Sequence, residues 1–184
     1  VSRVLAEVLE RHERAAAGER VLLRAGKTLA GMSSAEQVLE SVVEALQSIA
    51  DQASVAVRAV AAVRGGRWIE AVAGPGRTVR LGPAEPPSLP WTYAADLQSG
   101  RVVECALGEA DRGAFGIEEE AEQAVVVPLV HGSRLAGLIV VAASPKVPDG
   151  LRYAAEALAQ PALVALNRLA STDDLRRREA SFRA

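Results

Sequence analysis

The sequence is short of sulfur and of aromatic rings: 184 residues include one cysteine, one methionine, and two each of Trp, Tyr and Phe. A lone cysteine, Cys105, excludes an internal disulfide framework and any multi-cysteine metal cluster, and it fits a reducing compartment, the cytoplasm. No apolar run approaches the ~20 residues needed to cross a bilayer, and the longest is bracketed by Glu122 and Arg134. The opening residues do not read as a charged, then apolar, then small-residue leader. A net charge of -2 gives no electrostatic basis for holding nucleic acid or an anionic membrane. Lysine is confined to Lys27 and Lys146 while arginine is abundant, a bias that points to a GC-rich genome. There is no Ser-His-Asp set, phosphate-cradling glycine loop or metal-ligand spacing, and no carboxylate pair placed for acid-base chemistry, so no catalytic or metal-binding residue is expected.

What the chain does have is small aliphatics in patterns. Ala124 to Ala143 holds Val125, Val126, Val127, Leu129 and Val130, a polar turn His131-Gly132-Ser133-Arg134, and then Leu135, Leu138, Ile139, Val140 and Val141. This is a β-hairpin signature. Both faces of both strands are apolar, so the pair is expected at the centre of a sheet covered from two sides.

Residues 1 to 31 predict a helix, with Val4, Val8, Ala15, Leu22, Ala25 and Leu29 at coiled-coil spacing and Leu5, Leu9 and Leu23 widening the stripe. Gly18 weakens its middle by roughly 1 kcal/mol relative to Ala. Ser34 with Gln37 resembles a capping box that opens a second helix to Ala50, buried through Val38, Leu39, Val42, Val43, Leu46 and Ile49. Asp51 and Gln52 break that pattern. From Ala53 to Val63 the period becomes two, with Val55, Val57, Ala59, Ala61 and Val63 on one side and Arg58 and Val60 on the other. The Gly65-Gly66 turn returns the chain into Trp68 to Ala73.

Gly74 to Pro90 carries at most a short strand at Thr78 to Leu81. A short helix spans Trp91 to Gln98 and a strand Val102 to Cys105, while Ala106 to Glu120 reads as loop with a helical turn at Gly116 to Glu120. Pro148-Asp149 starts a helix that runs on to the end, with Leu151, Ala155, Leu158, Ala162, Ala165 and Leu169 in 4-3 spacing and a bend expected at Pro161.

A helix of about 34 residues is roughly 50 Å long, longer than the ~40 Å diameter of a compact chain of this size. It must project, and its apolar stripe needs a cover. The economical cover is a second copy, with both chain ends in a helical bundle. Leu5, Leu9 and Leu22 on the first helix and Leu151, Leu158, Ala162 and Leu169 on the last are the dimer-interface candidates; packing within one chain is the alternative. A first residue that is not Met and a charged helical ending predict a piece of a longer protein. The expected division is 1–31 a signalling and dimerisation helix, 32–149 the core, and 150–184 a helix linking to a further domain.

The element order, with RVVE after Ser99-Gly100 and VVVPLVHGSRLAGLIVVAAS with its Pro128, Gly132 and Gly137, resembles the GAF domain over about residues 20 to 170. The resemblance implies an α+β fold: a central antiparallel sheet of five to six strands, ordered two-one-five-four-three or close to it. Long terminal helices pack on one face, and the other face with its loops forms a pocket for a small ligand, a plan shared with PAS domains. It further implies a sensory and dimerising module in a signalling protein. The ending DDLRRREASFRA looks like the lead-in to a PAS domain, in proteins whose output is often a GGDEF diguanylate cyclase, hence cyclic-di-GMP signalling, or a histidine kinase.

Under that resemblance the pocket candidates are Arg58, Trp68, Trp91 and Tyr93, together with Leu97, Arg112, Phe115 and Val127. Aromatics stack on flat ligands, but the same rings can plug the cavity themselves, leaving a ligand-free dimerisation scaffold. Arg58 either meets an anionic ligand or pairs with a carboxylate such as Glu70. Arg112 shares the ambiguity, and Glu118-Glu119-Glu120 reads as a solvated face. Cys105 lacks an adjacent His or second Cys, so a small buried residue is expected in preference to a redox thiol or a bilin anchor; the GAF-type methionine sulfoxide reductases use several cysteines. His12 on a helix and His131 in a turn do not suit an axial haem ligand, and the Asn-Lys-Phe-Asp-Glu set of the cyclic-nucleotide-binding relatives is missing. No haem, bilin or metal is expected, and the ligand's identity is left open.

Overall fold

The computed structural model describes residues 2–50, 54–118 and 120–182. The expected break at Asp51 and Gln52, the strand start at Ala53 and Glu119 of the acidic run lie outside the described residues. Helices α1 (Ser2–Ala30) and α2 (Ala35–Ile49) lead into strand β1 (Val55–Ala62), which a short turn at Arg64–Gly66 joins to β2 (Trp68–Ala73). Strand β3 (Arg80–Ala84), helix α3 (Trp91–Gln98), strand β4 (Val103–Ala106) and helix α4 (Glu109–Phe115) follow. Strands β5 (Gln123–His131) and β6 (Arg134–Ala143) precede the closing helix α5 (Asp149–Phe182).

The six strands form one sheet in the order β3-β2-β1-β6-β5-β4, every pair antiparallel. Without the edge strand β3, this is the two-one-five-four-three order implied by the resemblance. The hairpin β5–β6 and strand β1 occupy the middle, with Val57 opposite Val141 and Val125 opposite Val141 on the far side. Strands apolar on both faces end up where both faces are covered.

Alternation then builds two cores. On one face Val57, Ala59, Val125, Val127, Ile139 and Val141 pack against α1, α2 and α5, and on the other Val60, Val126, Leu138 and Val140 pack against α3, α4 and their loops. Each buried Val or Leu contributes about 1.5–3 kcal/mol, so neither face is dispensable. At Gly137 the two central strands approach so closely that an added Cβ would stand 2.4 Å from the Val60 carbonyl oxygen, and glycine is required there for packing alone.

Helix α2 opens as its sequence indicates: the Ser34 hydroxyl accepts from the Gln37 amide at 3.3 Å, and the Gln37 side chain accepts from the Ser33 amide at 3.1 Å. The reciprocal partner is Ser33, one residue before the cap. Helix α5 continues through Pro161. Its Leu151, Leu158 and Ala162, expected at a dimer interface, are instead wholly buried in their own chain's core and are not available to a second copy. The 4-3 stripe is real, but sheet and neighbouring helices already cover it. Leu22 and Leu169 are half-buried against the same core. Arg168 ties the helices by donating to the main-chain oxygens of Ala30 and Met32.

The helix expected at Gly116 to Glu120 lies earlier, at Glu109–Phe115. The Gly108 amide donates to Asp111 Oδ2 at 3.1 Å, which nucleates the first turn, and Gly116 with φ of 65° ends it. Among the described residues no helix is long and apolar enough to span a membrane.

Candidate functional site

The face of the sheet away from the long helices is where a GAF-type pocket is expected, and here it is occupied by the chain's own side chains. Phe115 from α4 and Leu97 from α3 are completely buried in it, alongside Val60, Val126 and Leu138. Tyr93 is half-buried with its ring 6.4 Å from that of Phe115, tilted by 34°, an offset aromatic contact. Trp68, at the start of β2, packs half-buried on the edge of the same cluster.

The one charged residue among the buried side chains described, Arg58, also points to this face. Its Nε donates to Glu70 Oε2 on the neighbouring strand at 2.6 Å, and its Nη1 donates to the Phe115 main-chain oxygen at 2.9 Å. A buried guanidinium is tolerable only when its donors are met. Here a cross-strand carboxylate and the free carbonyl at the end of α4 meet them. Of the two expectations for Arg58, an anionic ligand or a carboxylate such as Glu70, the structure shows the pair with Glu70. Gly116 completes the fit: a Cβ there would stand 2.8 Å from Arg58 Cζ, and sequence reasoning did not anticipate this role although a glycine after Phe115 is a helix-stop signal.

Two pocket candidates belong elsewhere. Trp91 is 89% exposed at the start of α3, because it lies on the helix face away from Tyr93 and Leu97, which turn toward the cluster. Val127 is buried among the residues under the long helices: strand parity places Val125, Val127 and Leu129 on that side and Ala124 and Val126 on the pocket side. Arg112 is half-buried, with Nη1 donating to the Ala121 main-chain oxygen at 3.4 Å, so it braces the loop into β5.

Cys105 is buried in the same cluster. Burial, reinforced by Asp111, pushes its thiol up to about 11, against a smaller opposing contribution from a hydrogen bond with Tyr93. The thiolate is the reactive form, and this environment suppresses it. Burial likewise raises the Tyr93 phenol.

No family model matches the chain, and no curated protein does. Solved structures do. The chromophore-binding domain of an unusual bacteriophytochrome from R. palustris superposes with a TM-score of 0.62 at 13% identity, over 83% of this chain and 62% of that one. This chain thus corresponds to about three-fifths of that structure. The GAF domain of a phosphoenolpyruvate-protein phosphotransferase from Coxiella burnetii gives 0.61 at 16% identity, over 87% and 98% of the two chains. A free methionine-R-sulfoxide reductase from Neisseria meningitidis, in complex with its substrate, gives 0.60 at 14% identity, over 86% and 93%. Sheet order, helix placement and these superpositions agree: the chain has the fold of a GAF domain.

Proposed function

We propose that this chain is a non-catalytic regulatory module that pairs with a second copy through its helical ends and relays a conformational signal along α5. The observation that carries this reading is a seam on α1: Val4, Leu5, Val8 and Leu9 are each at least half exposed, at 65, 59, 50 and 55%. They fall on adjacent positions of one helix face. A grouped apolar face of this kind calls for a partner. The second half of α5 supports it, since every residue from Ser171 to Phe182 is exposed although the first half is locked in the core. This half is tied to the body by the Asp174 pair with Arg64 of the β1–β2 turn, and a rigid element anchored in this way at one end transmits movement to the other. The receiving domain, in this reading, is a PAS, diguanylate cyclase or histidine kinase unit of a longer cytoplasmic signalling protein; a diguanylate cyclase would make cyclic-di-GMP the output.

Leu5→Glu together with Leu9→Glu tests the seam. Both side chains are exposed, so the variant keeps its fold and its unfolding midpoint at high dilution, and the assembled form is lost. A variant that assembles as the parent does refutes the seam.

A second reading, a small-ligand sensor, draws on Trp68 and Tyr93, which stand half-buried at the rim of the filled face. A ligand acts as a signal only through different affinity for two arrangements, and here it must displace Phe115 or Arg58. Thermal unfolding against a panel of metabolites separates the two readings: a saturable shift by any compound supports the sensor, and none supports the ligand-free relay. Reduction of methionine sulfoxide, the activity named for the Neisseria meningitidis structure, is not part of either reading, because the one cysteine is buried and held protonated.

A further inference from the structure

The apolar seam on α1 does not stop at Leu9. Leu23, 68% exposed although the helix is packed on the body at that level, carries the same line onward. From Leu5 the steps are alternately four and three residues, through Leu5, Leu9, His12, Ala16, Glu19 and Leu23, and all of these are exposed. That is the spacing of a two-helix seam. Ala25 and Leu29 turn into the body's core and Leu22 rests half-buried against it, so the exposed line lies on a different side of α1 from the one that holds the helix in place. Leu23, not Leu22, extends the free surface.

The line is about 27 Å long between Leu5 and Leu23 at 1.5 Å per residue. Its leucine ends flank a polar middle, and that middle decides how a second copy can lie on it. If two copies ran parallel, each residue would meet its own counterpart. Glu19 would then face Glu19 inside the seam, and like charges brought together out of water oppose association. Antiparallel, Leu5 meets Leu23, Leu9 meets Glu19, and His12 meets Ala16. Each Glu19 then lies one helical turn from the second copy's His12, and no two like charges face one another across the seam.

We infer that the second copy lies on this line antiparallel to it, so that the start of each α1 covers Leu23 of the other chain. The inference rests on the pairing proposed above and specifies which segment meets which. Among the described residues of α1 none before Ala25 is buried, so the first half of the helix is free to reach across to the other copy. The arrangement also accounts for Leu23, a large apolar side chain left in solvent beside a packed core.

Disulfide capture tests the orientation. In a chain whose one cysteine is removed by Cys105→Ser, Leu5→Cys and Leu23→Cys are made separately, exchanged with each other in reducing buffer and then oxidised. Both positions are exposed, so neither change bears on the fold. The mixture is expected to form a covalent pair joining position 5 to position 23, about tenfold faster or more than either chain alone, because the two copies of position 5 lie about 27 Å apart, beyond the reach of a disulfide. Light scattering on the same samples before oxidation reads assembly independently. A dimer in which Leu5→Cys alone cross-links as fast as the mixture overturns the antiparallel arrangement, as does a dimer whose mixture fails to cross-link, and either result leaves the pairing itself standing. A monomer overturns both.

Discussion

Arg58 reaches from the middle of β1 to the last carbonyl of α4, its Nη1 2.9 Å from the Phe115 oxygen. One side chain therefore fastens the sheet to the helix that fills the expected ligand face, and its second bond, to Glu70, keeps the charge paired. Arg58→Ala strands Glu70 half-buried and leaves the Phe115 carbonyl without its partner, at a cost of about 2–3 kcal/mol. Replacing both charges with apolar groups of similar size, Arg58→Met with Glu70→Leu, costs less than the single change because no uncompensated charge is left. Urea denaturation of the three proteins checks the order: the single variant lowest, the double variant between it and the parent.

Two glycines separate backbone conformation from space. Gly116→Ala places a residue at φ of 65° with its Cβ against the Arg58 guanidinium, a side chain that can shift, so about 1–3 kcal/mol is expected. Gly137→Ala meets the Val60 carbonyl, main chain in the central strand pair, which cannot move without parting β1 from β6. The Gly137 variant is the more destabilised of the two, or fails to fold, and equilibrium unfolding of the pair decides it.

The Cys105 thiol, raised to about 11 from an ordinary value near 9, gives a pH dependence of definite sign. Between those values the unfolded chain has released the proton and the folded chain retains it, so stability falls as pH rises. Below about pH 9 this contribution is fully present, and it is lost as pH passes through 11. Cys105→Ser removes the titration, so its stability relative to the parent rises across that interval. Iodoacetamide labelling at pH 8 is expected to be slow in buffer and fast in urea; rapid labelling of the folded chain contradicts the burial.

Much of this architecture can be read from alternation. The doubly apolar runs Val125–Val130 and Leu138–Val141 could only be central strands, and the two-residue period sets Arg58 and Val60 on the face opposite Val57 and Ala59, as found. The same rule, carried across β5, would have placed Val127 under the long helices. Trp91 is a different case: composition marks an aromatic as valuable, but the rotation of a two-turn helix decides which way it faces. The 4-3 stripe of Leu151, Leu158 and Ala162 has the spacing of an intermolecular seam and of an intramolecular core alike, and only the sheet beside it distinguishes them. Nothing in the spacing announced that the Phe115 carbonyl would be Arg58's acceptor, because that contact joins residues 57 positions apart.

The most direct test is the mass in solution by light scattering at tens of micromolar. A particle of twice the 19.2 kDa protomer mass is expected for the unaltered chain. A particle of protomer mass at that concentration contradicts it.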